Sequence, residues 1–254
     1  MRLTDTHCHL NVAEFFPDPD AAVSRAPAAG VDDLIVIGLD TDSSRAAVDL
    51  AERHEGVWAA VGRHPNYAAA YSPDEIQTFR DLLQHPRVVA VGEIGLDNHW
   101  DDATPEQQER CLRDQLELAG ETGKPVVFHC REAYPRLLAI LEGLPPLRFV
   151  FHCFSGDASD LARAIAFGAY FGIDGPVTYK KNSELRELAA AMPSDKVLIE
   201  TDSPFLPPVP FRGKPNEPAL LPWVNRGLAA ALGISEEECA ERTTANARAL
   251  FGLG

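Results

Sequence analysis

Basic charge is what this sequence is short of. Lys and Arg number 23 against 38 Asp and Glu, for a formal net charge of −15 over 254 residues. That excludes a broad basic face for duplex nucleic acid, whose affinity comes largely from neutralising phosphates. A small basic pocket inside an acidic shell stays open. Cysteine is sparse and odd in number, with Cys8, Cys111, Cys130, Cys153 and Cys239 at spacings unlike a disulfide framework, which points to a reducing compartment. No apolar run approaches the ~18 residues of a membrane span. Met1 leads straight into a strand, with no basic-then-apolar leader, so a soluble, cytoplasmic protein is expected. No Gly-rich turn follows the first strand, which removes the signature of an open dinucleotide-binding sheet. No repeat, low-complexity tract or linker divides the chain, and residues 1–254 are expected to form one domain.

What is present is a regular alternation. Short apolar, β-branched runs at Leu3–Leu10, Asp33–Leu39, Val57–Arg63, Val88–Leu96, Pro125–Cys130, Arg148–Phe154, Ala169–Ile173 and Lys196–Asp202 predict eight strands. Amphipathic stretches separate them. Ser72-Pro73-Asp74-Glu75 and Thr104-Pro105-Glu106-Gln107 read as helix starts, with a capping hydroxyl, Pro at the first helical position and an acidic or amide residue three on. Leu112, Leu116 and Ala119 then recur at helical spacing. Eight βα units in a chain of this length predict an α/β fold of the (β/α)8 TIM-barrel type. A Pro-rich loop from Ser203 to Pro218, a helix over about Ala219–Leu232 and an extra C-terminal helix capped by Ser235 follow.

The polar residues at strand ends carry the chemistry. Thr4-Asp5-Thr6-His7-Cys8-His9-Leu10 places His7 and His9 on one face of a strand and Cys8 on the other. Glu93 ends the fourth strand, His129 the fifth, His152 the sixth and Asp202 the eighth. Active sites of such barrels sit at the carboxyl ends of the strands, so six imidazoles and carboxylates point to one mouth. Carboxylate with imidazole suits Zn, Mn, Fe or Ni. Six ligands are too many for one tetrahedral ion with an open position, and suit two ions sharing a carboxylate. Cys8, Cys130 and Cys153 each follow a histidine, and alternation turns them toward the helices as small buried residues. His54 and His85 read as surface residues, and His64 and His99 as substrate contacts in loops at the mouth.

Six stretches together resemble the TatD family of metal-dependent hydrolases, within the amidohydrolase-like barrels. They are Asp5-Thr6-His7-Cys8-His9, Gly92-Glu93-Ile94-Gly95-Leu96-Asp97, Val127 to Ala133, His152-Cys153-Phe154-Ser155-Gly156, Leu198 to Pro204, and Arg212-Gly213-Lys214 with Asn216-Glu217-Pro218. They run in family order over nearly the whole chain. The resemblance implies that His7, His9 and Asp202 hold one divalent ion and His129 and His152 another, with Glu93 as bridge; Zn, Mg and Mn are the candidates. It implies a metal-dependent deoxyribonuclease, chiefly exonucleolytic. Departures from the family pattern fall at Asn11, Arg63 and Asn98-His99-Trp100, away from the proposed ligands.

On this reading Asp202 orients a metal-activated water or takes its proton, Glu93 bridges, and Glu200, on the same face as Asp202, positions the water or a neighbouring group. Asp5 either receives a ring N–H or pairs with a cation. Arg63, Arg131, Lys180, Lys181, Arg212 and Lys214 follow strand ends and would form a positive mouth for an anionic substrate, with Ser155 and His64 as further contacts. Trp100, Phe154, Phe205 and Phe211 are candidates for stacking on a base. DNA, as a single strand or an end, is the expected substrate. A metal-dependent acyl hydrolase on the same barrel is the alternative, and a non-catalytic binding protein a third.

Overall fold

Strand alternation decides which residues meet at the centre. In the computed structural model, which describes residues 1–253, eight parallel strands pair in sequence order: β1 Leu3–Cys8, β2 Val31–Ile37, β3 Val57–Val61, β4 Val88–Asp97, β5 Val126–Arg131, β6 Phe149–Phe151, β7 Tyr170–Ile173 and β8 Val197–Ile199. The ring closes past the end of β8. The Asp202 N–H donates to the His7 carbonyl and the His9 N–H to the Ser203 carbonyl, both at 2.9 Å. Nine helices alternate with and follow the strands among the described residues: α1 Pro19–Arg25, α2 Thr41–Arg53, α3 Glu75–Leu82, α4 Pro105–Thr122, α5 Tyr134–Glu142, α6 Ala158–Ala166, α7 Ser183–Ala191, α8 Leu221–Leu232 and α9 Glu236–Phe251. The fold is a (β/α)8 TIM barrel. Among the described residues no helix is long and apolar enough to cross a membrane.

The outward residues of the strands, among them Cys8, Val36, Phe128, Cys130, Phe151, Phe171 and Ile199, pack with the helices in one large core. The first inward positions, Ile35, Ala60, Val127, Val150, Tyr170 and Leu198, form a second core with Ala247, Leu250, Phe251 and Leu253 of the C-terminal segment. Helix α9 thereby plugs the amino end of the barrel. Its seating is hydrogen-bonded as well. Asn246 donates to the carbonyls of Ser194 and Val197, Thr244 to that of Arg2, and Arg148 reaches the Leu250 carbonyl. The next inward positions, one step toward the carboxyl end, are His129, His152, Gly172 and Glu200.

Two sequence expectations shift. Strands β1, β2, β3, β6 and β8 end sooner than their apolar pattern, leaving His9, His152, Glu200 and Asp202 just beyond the ladders, whereas β4 and β5 each run one residue further, to Asp97 and Arg131. Helix α3 begins at Glu75 rather than at Pro73. The Glu75 side chain does return to the Ser72 N–H (3.0 Å), but Ser72 does not cap the third helical amide, and the other Glu75 oxygen is drawn to Arg63. At Thr104 both halves of the capping box form, and Ser235 caps α9.

Candidate metal centre and cleft

Glu93, from the middle of a strand buried along all ten residues, stands at the focus of the histidines. Its Oε2 faces His7 Nε2 (3.2 Å) and His9 Nε2 (3.9 Å). Its Oε1 faces His152 Nε2 (2.9 Å), His129 Nδ1 (3.0 Å) and His64 Nε2 (3.6 Å). Asp202 Oδ1 lies 3.4 Å from His9 Nε2 and 3.7 Å from His7 Nε2, and those two ring nitrogens are 3.2 Å apart. Bonds of about 2.0–2.1 Å at tetrahedral angles put ligand atoms about 3.3 Å apart, so this spacing fits a divalent cation. Three ligand groups converge: His7, His9 and Asp202; His7, Glu93 and His152; and His64, Glu93 and His129. The five segments expected to meet at one rim do meet.

Electrostatics match the geometry. Burial alone would raise Glu93, but the imidazoles of His152, His7, His64 and His129 outweigh it and hold the carboxyl well below its ordinary range. Asp202 is lowered in the same way, against its burial, by His9, His152 and His7. Burial works against a charged His152, yet Glu93, Glu200 and Asp202 push its pKa well up. A cluster of this kind holds either protons or a cation between its carboxylates and rings.

His129 and His152 both face Glu93 Oε1, with their ring centroids 5.8 Å apart, and His129 also sets its Nε2 2.8 Å from Asp97 Oδ2. That contact drives Asp97, against its burial, down to about 2. His64 takes the place beside His129, with ring centroids 4.3 Å apart. Its protonation argues against ligation. The Asn66 N–H donates to His64 Nδ1 (3.1 Å), and burial with the nearby His129 lowers its pKa to about 3. A neutral ring that accepts at Nδ1 carries its proton at Nε2. His64 is therefore a donor aimed at Glu93 Oε1 and the mouth.

Outer residues fix these groups. Asp5, fully buried, accepts from the Thr201 N–H (2.9 Å), the Thr201 hydroxyl (2.6 Å) and the His7 N–H (3.3 Å). It neither receives a ring N–H nor pairs with a cation. Burial pushes its pKa up to about 7 despite these bonds. Glu200 lies behind His152, on the side of its Nδ1. It accepts from the Cys153 N–H (2.6 Å) and the Thr6 hydroxyl (3.1 Å) and approaches His152 Nδ1 (3.4 Å). Gly172 makes room for it, since a Cβ there would lie 2.4 Å from the Glu200 carboxylate oxygens. Two buried glutamines of α4, unremarked in the sequence pattern, clamp strand ends by paired backbone bonds. Gln108 holds Asp97, and Gln115 holds Arg63. Their signal was position: they share the apolar face of α4 with Cys111, Leu112 and Leu116.

The cleft above has two halves that meet over His129, His152 and Asp202. One, of about 590 Å³, includes His9, His64, Glu93, Asp97 and several aromatic rings. The other, of about 570 Å³, includes Ser155, Gly156, Asp174, Lys181 and Asn182, and Arg131 and Leu206 border both. Asp174, missed in the sequence, directly follows β7; burial raises its pKa to about 7. Cys8 and Cys130 face the helices as expected. Cys153 does not: at φ 45° it turns back, lines the cleft and sets its thiol 3.1 Å from Asp174 Oδ2. Asp202 also has a positive φ, 53°.

The expected basic mouth is smaller than its list. Arg131 and Lys181 line the cleft. Arg63 is buried, bound to Glu75 (2.6 and 2.7 Å) and the Tyr67 carbonyl, because Gln115 draws its backbone toward α4. The Arg212 guanidinium stacks over Tyr179 at 4.1 Å. Lys180, Arg212 and Lys214 are absent from the cleft lining. Phe154 lies in the core and Phe211 packs on Trp223. His99 is partly exposed and faces Glu132, while His54 and His85, half-buried, face Asp20 and Glu52.

A parallel barrel whose carboxyl rim gathers five imidazoles around two carboxylates is that of a metal-dependent hydrolase, and the clusters fit divalent metal binding. The chain belongs to the TatD related DNase family, whose model matches residues 4–252. It is 37% identical over 253 residues to the metal-dependent hydrolase YabD of Bacillus subtilis, covering 99% of each chain. It is 39% identical over 257 residues to the 3'-5' ssDNA/RNA exonuclease TatD of Erwinia amylovora, covering 98% of this chain and 99% of that one. The crystal structure of YJJV, a TatD homolog from Escherichia coli, superposes with a TM-score of 0.93 at 33% identity, covering 100% of this chain and 99% of that one.

Proposed function

We propose that this hydrolase cleaves phosphodiester bonds at the ends of single-stranded nucleic acid, DNA above all, using two divalent cations, Zn, Mg or Mn. The observation that carries this reading is the division of Glu93. One of its oxygens serves His7 and His9 beside Asp202, and the other serves His129 and His152. Bound divalent ions would lower the pKa of a water and neutralise charge on the phosphoryl oxygens.

The chain's own groups do the rest. Asp202 holds the attacking water and accepts its proton. His64 donates from Nε2 to a phosphoryl oxygen. Glu200 acts through His152 and the Cys153 amide and is a positioning residue. Arg131 and Lys181 take flanking phosphates, so the cleft selects an anion although the whole protein is acidic. The test is hydrolysis of a single-stranded oligonucleotide with each metal. Glu93→Gln and His7→Ala should lose both bound metal and activity. Metal loss with undiminished hydrolysis overturns the assignment. An acyl hydrolase on the same centre would instead keep its rate when Arg131 and Lys181 are both replaced by alanine.

A further inference from the structure

Large apolar side chains gathered in water call for a partner. Among the described residues, those exposed are Met1, Phe15, Tyr67, Trp100, Phe205 and Val209. All four aromatic ones line the same half of the cleft. They come from four different loops, after β1, β3, β4 and β8. Phe15 and Phe205 meet edge to face at 5.1 Å, and Phe205 stands 6.2 Å from the His9 ring. Tyr67 stands 6.2 Å from His64. The Arg131 guanidinium lies 5.7 Å from the Trp100 ring centre. These rings therefore wall the space directly beside the metal centre.

The charges of that half narrow its occupant. Apart from Arg131 and the histidines, its charged groups are acidic: Glu93, Asp97, Asp102 and Asp202. Asp97 and Asp102 repel a phosphate away from the metals, whereas a neutral planar group meets only ring faces and hydrogen-bond acceptors. The opposite half is acidic too, through Asp157, Asp174, Glu184 and Asp202, but it adds Lys181 to Arg131, together with Ser155 and Asn182.

We propose that the aromatic half is a nucleobase site. The unpaired base next to the cleaved linkage stacks on Trp100 and Phe205, with Phe15 and Tyr67 as walls, while the backbone on the other side passes Arg131 toward Lys181. This rests on the phosphodiesterase reading above. It makes stacking the source of single-strand selectivity, since a paired base has its faces covered. Base identity matters little, because every base offers a π-face.

The test compares short single-stranded oligonucleotides with a normal or an abasic residue at the 3′ or the 5′ end. Binding to the metal-free protein is read by fluorescence anisotropy, and hydrolysis is read with metal. Wild type should prefer the base-bearing strand about tenfold or more at one end. Replacing Trp100 and Phe205 together by alanine should abolish the preference by weakening the base-bearing strand far more than the abasic one, while Trp100→Phe should retain it. Equal affinity of wild type for both strands overturns the site, as does a preference that survives the double replacement or an equal loss on both substrates. A binding preference without hydrolysis under any divalent metal leaves the base site standing and rejects the phosphodiesterase.

Discussion

Replacing Asp5 by alanine tests how the first and last strands are joined. Asp5 is wholly buried and accepts three hydrogen bonds, two of them from Thr201 just past β8. In Asp5→Ala the Thr201 N–H loses its acceptor in a dry interior, at about 1–3 kcal/mol. The Thr201 hydroxyl retains Ser203 Oγ at 3.1 Å, so its loss is smaller, on the order of 1 kcal/mol. A total of about 2–4 kcal/mol, at about 2–4 °C per kcal/mol for a chain of this size, lowers Tm by roughly 4–16 °C. Asp5→Asn is the control. Its carbonyl accepts the Thr201 N–H and its amide donates to a rotated Thr201 hydroxyl, so it should cost less than about 1 kcal/mol. The carboxyl also sets a sign with pH. Its folded pKa, about 7, exceeds its unfolded value near 3.9, so the folded state binds the extra proton. Metal-free wild type should lose stability as pH rises from about 4 through 7, and Asp5→Asn should show a shallower slope, the remainder coming from the raised Asp174 and His152. Calorimetry of the three proteins, metal-free and metal-loaded, reads all of this. An Asp5→Ala Tm within 2 °C of wild type, or an Asn variant as damaged as the alanine one, would refute the reasoning.

His64→Ala should keep its metal content, because Nε2 is a donor, yet lose about 10²–10³-fold in kcat; elemental analysis beside kinetics separates the two, and metal loss would contradict the tautomer. Protons and metal compete for His152, whose raised pKa makes its protonated form part of the metal-free fold. That contribution is complete below about pH 6.5 and fades as pH climbs through the folded pKa, while metal affinity climbs with it; titration calorimetry in buffers of different ionisation enthalpy should register proton release. Arg63→Ala should cost about 1–3 kcal/mol by leaving the half-buried Glu75 without its guanidinium and leave KM unchanged, whereas Arg131→Ala should raise KM with little change in Tm.

The architecture was legible because parallel strands covered on both faces write themselves as short apolar runs. Their period of two also separated His7 and His9 from Cys8. The rim was harder to read. Cys153 follows His152 just as Cys130 follows His129, but it lies beyond its strand, where alternation no longer governs direction. Arg63 and Arg131 both follow strand ends, and only the three-dimensional partners, Glu75 in one case and open cleft in the other, tell them apart. Asp97 was quoted within a motif without a role, since nothing local marks the carboxylate that turns His129. Gln108 and Gln115 were silent because an amide facing a strand end looks in sequence like any polar interruption of an apolar face.

The plug formed by α9 makes the barrel a cul-de-sac. With Phe251 and Leu253 filling the far end, a polymer cannot be drawn through the ring, and whatever enters must back out by the route it took. On the proposed reading, the shortened strand and the severed piece would both leave through the one opening by which the substrate came in.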